Sequence, residues 1–252
     1  MPVIGTDDHV IAARLAAEAG AMLVDLRARL AGDGVGGRAL GAEGDRAAQE
    51  LLMRGLAELR PHDVVLSEEG ADDPARLEAE RVWIVDPLDG TREFGEVPRT
   101  DWAVHVALVV GGDPGAGAVA LPARDLTLST ATPPPPPGPR SGPVRVVVSR
   151  SRPPAEATLI AEAFDGELVT LGSAGAKAMA VVLGEAEVYG HTGGQHEWDS
   201  AAPVAVARAA DLHTSRLDGT PLLYNRPDPY LPDLLICRPE LAERVIEAAA
   251  GS

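Results

Sequence analysis

Apolar residues recur at helical spacing in TDDHVIAARLAAEAGAMLVDLRARL, where Ile11, Leu15, Met22, Leu26 and Leu30 share one face and Thr6 stands where an N-cap is needed. DRAAQELLMRGLAEL, 45–59, predicts a second helix. The pattern then shortens to strand-length runs bounded by Gly, Pro and Asp: DVVLSEE, RVWIVDP, AVHVALVV, GAGAVALP and DLTLST. TPPPPPGPRSGP, 132–143, interrupts the order, because prolines without N–H donors suit neither a helix interior nor a sheet; it predicts a stiff, polyproline-like connector. Beyond it the elements alternate: strand VRVVVSR, helix 156–164, strand GELVTLGS, helix AGAKAMAVVLG, strand EVYGHT and helix WDSAAPVAVARAA. Helices then strands in 1–131, and alternation in 144–252, predict an α/β (α+β) protein of layered helices and sheets with a cleft between two lobes. The chain has no repeat of fixed period.

At 252 residues the chain is long enough for one large domain or two modest ones. Its 45% hydrophobic and 24% charged residues are those of a water-soluble globular protein, and no apolar run reaches the length of a membrane span. The N-terminal stretch lacks a basic segment and carries Asp7, Asp8 and Glu18 through its apolar part, so a cytoplasmic protein without a secretory signal is expected. Cys237 is the lone cysteine, set in DLLICRP as a buried strand thiol, which excludes internal disulfides and Cys-based clusters. A net charge of -16 repels nucleic acid polymers. A small anion remains possible if arginines or bound metals provide local positive charge.

Chemistry concentrates where strands end in acids. Glu68 in VVLSEEG, and Asp86 and Asp89 in WIVDPLDGTREF, fall at or beyond strand C-termini and can line one cleft. Carboxylates sharing a cleft raise one another's pKa unless hard cations separate them, and all-oxygen ligands suit Mg²⁺ or Mn²⁺. In DPLDGT, Pro87 fixes a turn that aims both aspartates the same way and leaves the Leu88 carbonyl without a ladder partner, free to become a ligand. Gly90 lets the backbone approach an anion, and Thr91 adds a hydroxyl. EWDSAAP puts Asp199 at a helix start as a further metal carboxylate. Each piece alone has a plainer reading: an Asp-Pro and Asp-Gly turn, an N-cap at Asp199, a solvated turn at Glu68 and Glu69. Their combination favours a metal site.

SEEG, WIVDPLDGTREF and EWDSAAP, in this order, resemble the linked signatures of the Mg²⁺-dependent, lithium-sensitive phosphatases of the inositol monophosphatase superfamily, along nearly the whole chain. DGTREF is similar to the Lys/Arg-Glu-Phe form of 3'(2'),5'-bisphosphate nucleotidases of the CysQ type. The resemblance implies a sugar-phosphatase-like αβαβα sandwich. It also implies a small anionic nucleotide substrate, adenosine 3',5'-bisphosphate or its phosphosulfate, in sulfate assimilation, with inositol-1-phosphate or fructose-1,6-bisphosphate as alternatives. A silent nucleotide- or metal-binding regulator is the non-enzymatic alternative. Glu68, Asp86 and the Leu88 carbonyl would hold one Mg²⁺, Asp86, Asp89 and Asp199 a second, and a third, weaker ion would sit near Glu68, where Li⁺ competes. Thr91 with an upstream aspartate would orient and deprotonate water, and the backbone at Gly90 and Thr91 would receive the phosphate.

For that aspartate the resemblance implies a Val-Thr-x-Ala-Asp stretch at a helix start; ALGAEGDRAAQELL lacks the Val-Thr, and Asp45 is assigned by position, with a helix N-cap as its other reading. GDGVGG contains Gly32, Gly34 and Gly37 but follows a helix, so it is expected to be a mobile loop beside the cleft rather than a dinucleotide motif. Ser173 and Lys177, the chain's only lysine, match a Gly-Ser-x-x-x-Lys pattern that leans toward substrate; a solvated lysine is the alternative. Ser149 and Arg150 resemble the start of a Ser-Arg-Ser-His stretch in which Arg152 replaces the histidine, and an arginine there suits a second phosphate. His191 and His196 read as cleft wall, not zinc ligands. Superfamily members are monomers or homodimers.

Overall fold

Along β2 (Arg81–Asp89) alternate side chains enter different cores: Val82 and Ile84 join one cluster, Trp83 and Val85 another. That period of two shows a strand buried on both faces. A computed structural model of the protein describes residues 4–139 and 142–251, so residues 1–3 and 252 and two connector positions, 140 and 141, lie outside the described residues.

The first sheet runs β1 (Val64–Ser67), β2, β3 (Ala103–Val110), β4 (Asp113–Leu121), β5 (Leu126–Ser129) in chain order. β1 is parallel to β2 and the other pairs are antiparallel. The second sheet is ordered β7 (Glu167–Leu171), β6 (Arg145–Ser149), β8 (Val188–His196), β10 (Tyr230–Cys237), β9 (His213–Ser215), with β6 parallel to both neighbours. Helices α1 (Thr6–Gly32) and α2 (Gly37–Leu59) pack on the outer face of the first sheet, sharing a core with Trp83, Val104, Val106 and Leu108. Helices α5 (Ala174–Val182) and α6 (Glu197–Ala209) lie between the sheets and contribute to a core that takes residues from both, from Ile84 and Val119 to Tyr189 and Ile236. Helices α4 (Ala155–Ala163) and α7 (Ala242–Ala249) close the outer face of the second sheet over Val146, Val148 and Leu235. The result is the expected αβαβα sandwich, and the shared middle layer fastens the two sheets together. Cys237 is fully buried in β10, where burial pushes its thiol up to about 12. Among the described residues no helix is long and apolar enough to cross a membrane.

Two boundaries correct the sequence reading. Thr6 is the first helical residue of α1 rather than its cap; Gly5 takes the N-cap position, and its N–H donates to Asp8 Oδ2 at 2.8 Å. Asp8 is held there by Arg60 and Arg81. The second correction is larger. α2 begins at Gly37, so Asp45 lies inside the helix and caps nothing, and the expected loop is a short turn at 33–36. Gly41 and Gly44, in the part of α2 that precedes Asp45, are packing glycines. A Cβ at Gly41 would stand 2.6 Å from Thr91 Cγ2, and one at Gly44 would stand 2.7 Å from Leu88 Cδ2 and 2.8 Å from the Phe94 ring. Without side chains there, the helix closes on the turn that follows β2.

Candidate active site

The ladder between β2 and β3 is irregular between Asp86 and Asp89, which takes Pro87 and Leu88 out of register. Asp86 Oδ1 accepts the Leu88 N–H at 3.0 Å. Gly90, at φ +86°, adopts a left-handed conformation that side chains disfavour and opens the short helix α3 (Thr91–Gly95). The Leu88 carbonyl, outside the ladder as expected, accepts the Thr91 hydroxyl at 3.2 Å. Thr91 Oγ1 is also 3.2 Å from Asp45 Oδ1, so α2 brings Asp45 to the turn from the opposite side.

Ligand atoms of Asp86, Asp89 and Asp199 lie within 4.8 Å of one another. Glu68, just past β1, keeps exposed surface at the mouth of the site yet interacts with the same acids. Burial first, then repulsion from Glu68, Asp89 and Asp199, drives the Asp86 carboxyl well above the usual range. Loss of solvent and the charge of Asp199 push Glu68 up to about 7, and burial with Asp89 pushes Asp199 up to about 6. Asp45 rises to about 7, through burial and the nearby Glu69. Acids crowded this way reach their charged forms together only with positive charge between them, and an all-oxygen donor set with a free carbonyl fits hard divalent cations. Asp199 is the third residue of α6 and not its N-cap, a position that His196 takes; its Oδ2 reaches back to accept the His196 N–H at 2.7 Å.

Asp89 is the exception. Burial would raise its pKa, but His105, Lys177 and the Gly175 N–H together outweigh burial and hold the carboxylate below its usual value. His105 is fully buried, its Nδ1 3.0 Å from the Trp198 carbonyl and its Nε2 3.2 Å from Asp89 Oδ2, within ion-pair range though off the line of a good hydrogen bond. The Ala174 and Gly175 N–H groups, at 3.1 and 2.5 Å, complete the grip on Asp89. A side chain at Gly175 would overlap the His105 ring. The sequence reading missed His105. Its one signal was a polar residue inside AVHVALVV, a strand apolar on both faces, where a buried polar group demands a partner.

A cavity of about 570 Å³ opens beside the acids, lined by Asp89, Gly90, Ser149, Ser173, Lys177 and Asp199 among others. Ser173 caps α5 by accepting the Ala176 N–H. Lys177 is not solvated: only 3% exposed, its ammonium donates to the carbonyls of Gly172 at 2.6 Å and Ser173 at 2.7 Å, and burial pushes its pKa down to about 8. His191 lines the cavity and is kept neutral by burial, its pKa pushed down to about 4, whereas His196 stacks on Trp198 outside it. The structure does not bring Arg150 to the cavity wall. Its guanidinium turns to Glu93 on α3 and to Glu96, the C-cap of that helix, while Arg152, two residues on, lines the cavity.

The profile of the Inositol monophosphatase family matches residues 7–133 and 141–251. The chain is 50% identical over 247 residues, 93% of its length and 90% of the relative's, to the 3'-phosphoadenosine 5'-phosphate phosphatase of Mycobacterium leprae. It is 35% identical to the 3'(2'),5'-bisphosphate nucleotidase CysQ of Escherichia coli over 201 residues, 74% of this chain and 80% of that one. The crystal structure of CysQ from Bacteroides thetaiotaomicron superposes with a TM-score of 0.80 at 26% identity, covering 92% of this chain and 97% of that one. The chain belongs to the inositol monophosphatase family.

Proposed function

We propose that the protein is a Mg²⁺-dependent phosphomonoesterase that hydrolyses the 3'-phosphate of adenosine 3',5'-bisphosphate to AMP and phosphate. It also accepts the 5'-phosphosulfate counterpart, in cytoplasmic sulfate assimilation. The observation that carries this reading is the carboxylate cluster of Asp86, Asp89 and Asp199 at the wall of a cavity large enough for a nucleotide. The likeness to the mycobacterial phosphatase supports the choice of substrate.

Two to three Mg²⁺ ions, with Mn²⁺ as substitute, would be held by Glu68, Asp86, the Leu88 carbonyl, Asp89 and Asp199 and would supply Lewis acidity at the phosphate and the leaving alkoxide. The segment 1–131 contributes all of these but Asp199; 144–252 contributes that residue and most of the substrate wall. Thr91 orients the attacking water with its hydroxyl, and Asp45, 3.2 Å from that hydroxyl, accepts the proton. The backbone N–H groups of Gly90 and Thr91 receive the transferred phosphate. Ser149, Ser173 and Arg152 face the rest of the nucleotide, and Lys177 stiffens the turn carrying Ser173 while adding positive charge. Li⁺ inhibits by competing at the weakest metal position, beside Glu68. Every one of these residues belongs to one chain, so a monomer or a homodimer would carry the reaction.

Phosphate release from equal concentrations of adenosine 3',5'-bisphosphate, inositol-1-phosphate and fructose-1,6-bisphosphate, each with Mg²⁺ and with a chelator, tests the reading. The nucleotide should be hydrolysed fastest, and only with metal. Faster release from either sugar phosphate would overturn the substrate assignment, and release undiminished by the chelator would overturn the metal's role.

A further inference from the structure

Arg150 resembles a substrate ligand in the sequence, yet its side chain is spent elsewhere. Nε donates to Glu93 Oε1 at 2.6 Å and Nη2 to Glu96 Oε2 at 2.7 Å. Arg150 is 20% exposed and Glu93 9%, so this charge-assisted pair is screened far less than a surface one. Its backbone N–H is tied to the Leu171 carbonyl on β7. A rigid point at the end of β6 thus grips α3, the helix that begins at Thr91.

Other contacts immobilise the same short helix. From α1, Arg27 donates to the carbonyls of Phe94 at 2.7 Å, Glu93 at 3.0 Å and Arg99 at 2.7 Å, and its guanidinium lies 5.4 Å from the Phe94 ring centroid. Gly172 packs so closely that a Cβ there would overlap Glu93. Gly41 and Gly44 of α2 close the remaining side. A five-residue helix has too few internal hydrogen bonds to hold its own position, so its placement depends on these external contacts. Arg152, by contrast, has no carboxylate within ion-pair distance among the described residues and faces the cavity.

We propose that Arg150 is a positioning residue: by bridging Glu93 and Glu96 it clasps α3 to the end of β6 and so holds the Gly90–Thr91 backbone where the transferred phosphate binds, while Arg152 alone of the two arginines meets substrate. This rests on the functional reading above, which places the reacting phosphate at that turn. The clasp spans the two halves of the chain, so it also sets the separation between the turn after β2 and the wall at Ser149 and Arg152. Glu93 of the DGTREF signature and Arg150 of the SRSR stretch, 57 residues apart, become two halves of one device.

The test is a kinetic and thermal double-mutant cycle in the full chain, combining Arg150→Met with Glu93→Gln/Glu96→Gln, and Arg150→Lys beside it. A clasp acts on the phosphate common to all substrates. Arg150→Met should therefore raise KM for adenosine 3',5'-bisphosphate and for adenosine 3'-monophosphate by the same factor, about tenfold, as expected when one charge-assisted contact is lost. The inhibition constant of inorganic phosphate should rise in step; a smaller folded fraction would lower kcat and leave both constants unmoved. Lysine keeps the charge but not the two-pronged geometry and should recover only part of the loss. In the Glu93→Gln/Glu96→Gln background, Arg150→Met should add less than about twofold, because coupled residues are non-additive. A loss confined to the bisphosphate, or a full tenfold effect persisting in that background, would make Arg150 a substrate ligand and overturn the proposal. Melting temperatures of the same variants read the coupling without substrate: additive shifts would remove the clasp. If the parent enzyme releases no phosphate from either nucleotide, the functional reading fails, and the melting cycle still decides the clasp.

Discussion

Asp89 shows how much one side chain carries. It contributes to the carboxylate cluster, accepts two N–H groups at the start of α5 and pairs with a fully buried His105. Asp89→Ala should abolish most Mg²⁺-dependent turnover, and it should also lower the melting temperature, because removing one partner of a buried ion pair strands the other at a cost of about 3–5 kcal/mol. Wild-type turnover in that variant would remove Asp89 from the metal site, and an unchanged melting temperature would remove His105 as its buried partner. Thr91→Ala leaves the carboxylate cluster in place. It should lower kcat by about a hundredfold or more, the scale of a misdirected general base, with a smaller change in KM; steady-state kinetics with unchanged kcat would remove Thr91 from the mechanism. The acids and Thr91 were legible because DPLDGT and EWDSAAP are local in sequence. His105 and the turning away of Arg150 were not, since both are set by partners 16 and 57 residues distant in the chain.

Elements meet the site through close packing that composition hides. Strands β1 to β8 and helices α4 to α6 follow from periodicity within a few residues, whereas α2 starts eight residues before its predicted start. Glycine weakens a helix by propensity, which favours a loop; here its lack of a side chain permits a contact that outweighs the propensity. Gly44→Ala is a gain in helix propensity that should nonetheless destabilise, by about 1–3 kcal/mol of overpacking, and should displace Asp45 from Thr91. Chemical denaturation and kcat measure both effects; a more stable, fully active variant would show that α2 is not in tight contact with the turn. At the far end of the same layer, Asp8 joins α1 to Arg60 at the end of α2 and to Arg81 of β2, which also pairs with Asp63. Burial alone would raise the Asp8 pKa, but hydrogen bonds from Arg81, Gly5 and Arg60 hold it below 3.8. A depressed acid stabilises the fold above its unfolded pKa and ceases to do so as pH falls through the folded value. Asp8→Asn should therefore melt lower than the parent at pH 7, with the gap narrowing near pH 3; a gap independent of pH would assign Asp8 a packing role only.

For the molecule as a whole, the αβαβα sandwich carries Glu68, Asp86 and Asp89 on one sheet and Asp199 on a middle-layer helix, so folding concentrates negative charge in an already acidic chain of net charge -16. The layers were legible from the order of elements; the crowding could be anticipated from strand ends, but its consequence for each acid depends on burial that only the packed structure defines. Without cations the raised pKa values of Asp45, Glu68 and Asp199 make the folded state lose stability as pH rises from the ordinary carboxylate range through about 6 to 7. Cations that bind the charged forms displace those protons. The central claim, that this cluster is the metal centre of a phosphatase, is tested most directly by calorimetric titration of Mg²⁺ into metal-free protein, in buffers of different ionisation enthalpy, at pH 6 and pH 8, with turnover of adenosine 3',5'-bisphosphate followed on the same samples. Net proton release at pH 6, smaller at pH 8, with phosphate release rising along the binding isotherm, is the predicted result. Binding that releases no protons at pH 6, or turnover that ignores metal occupancy, would contradict it.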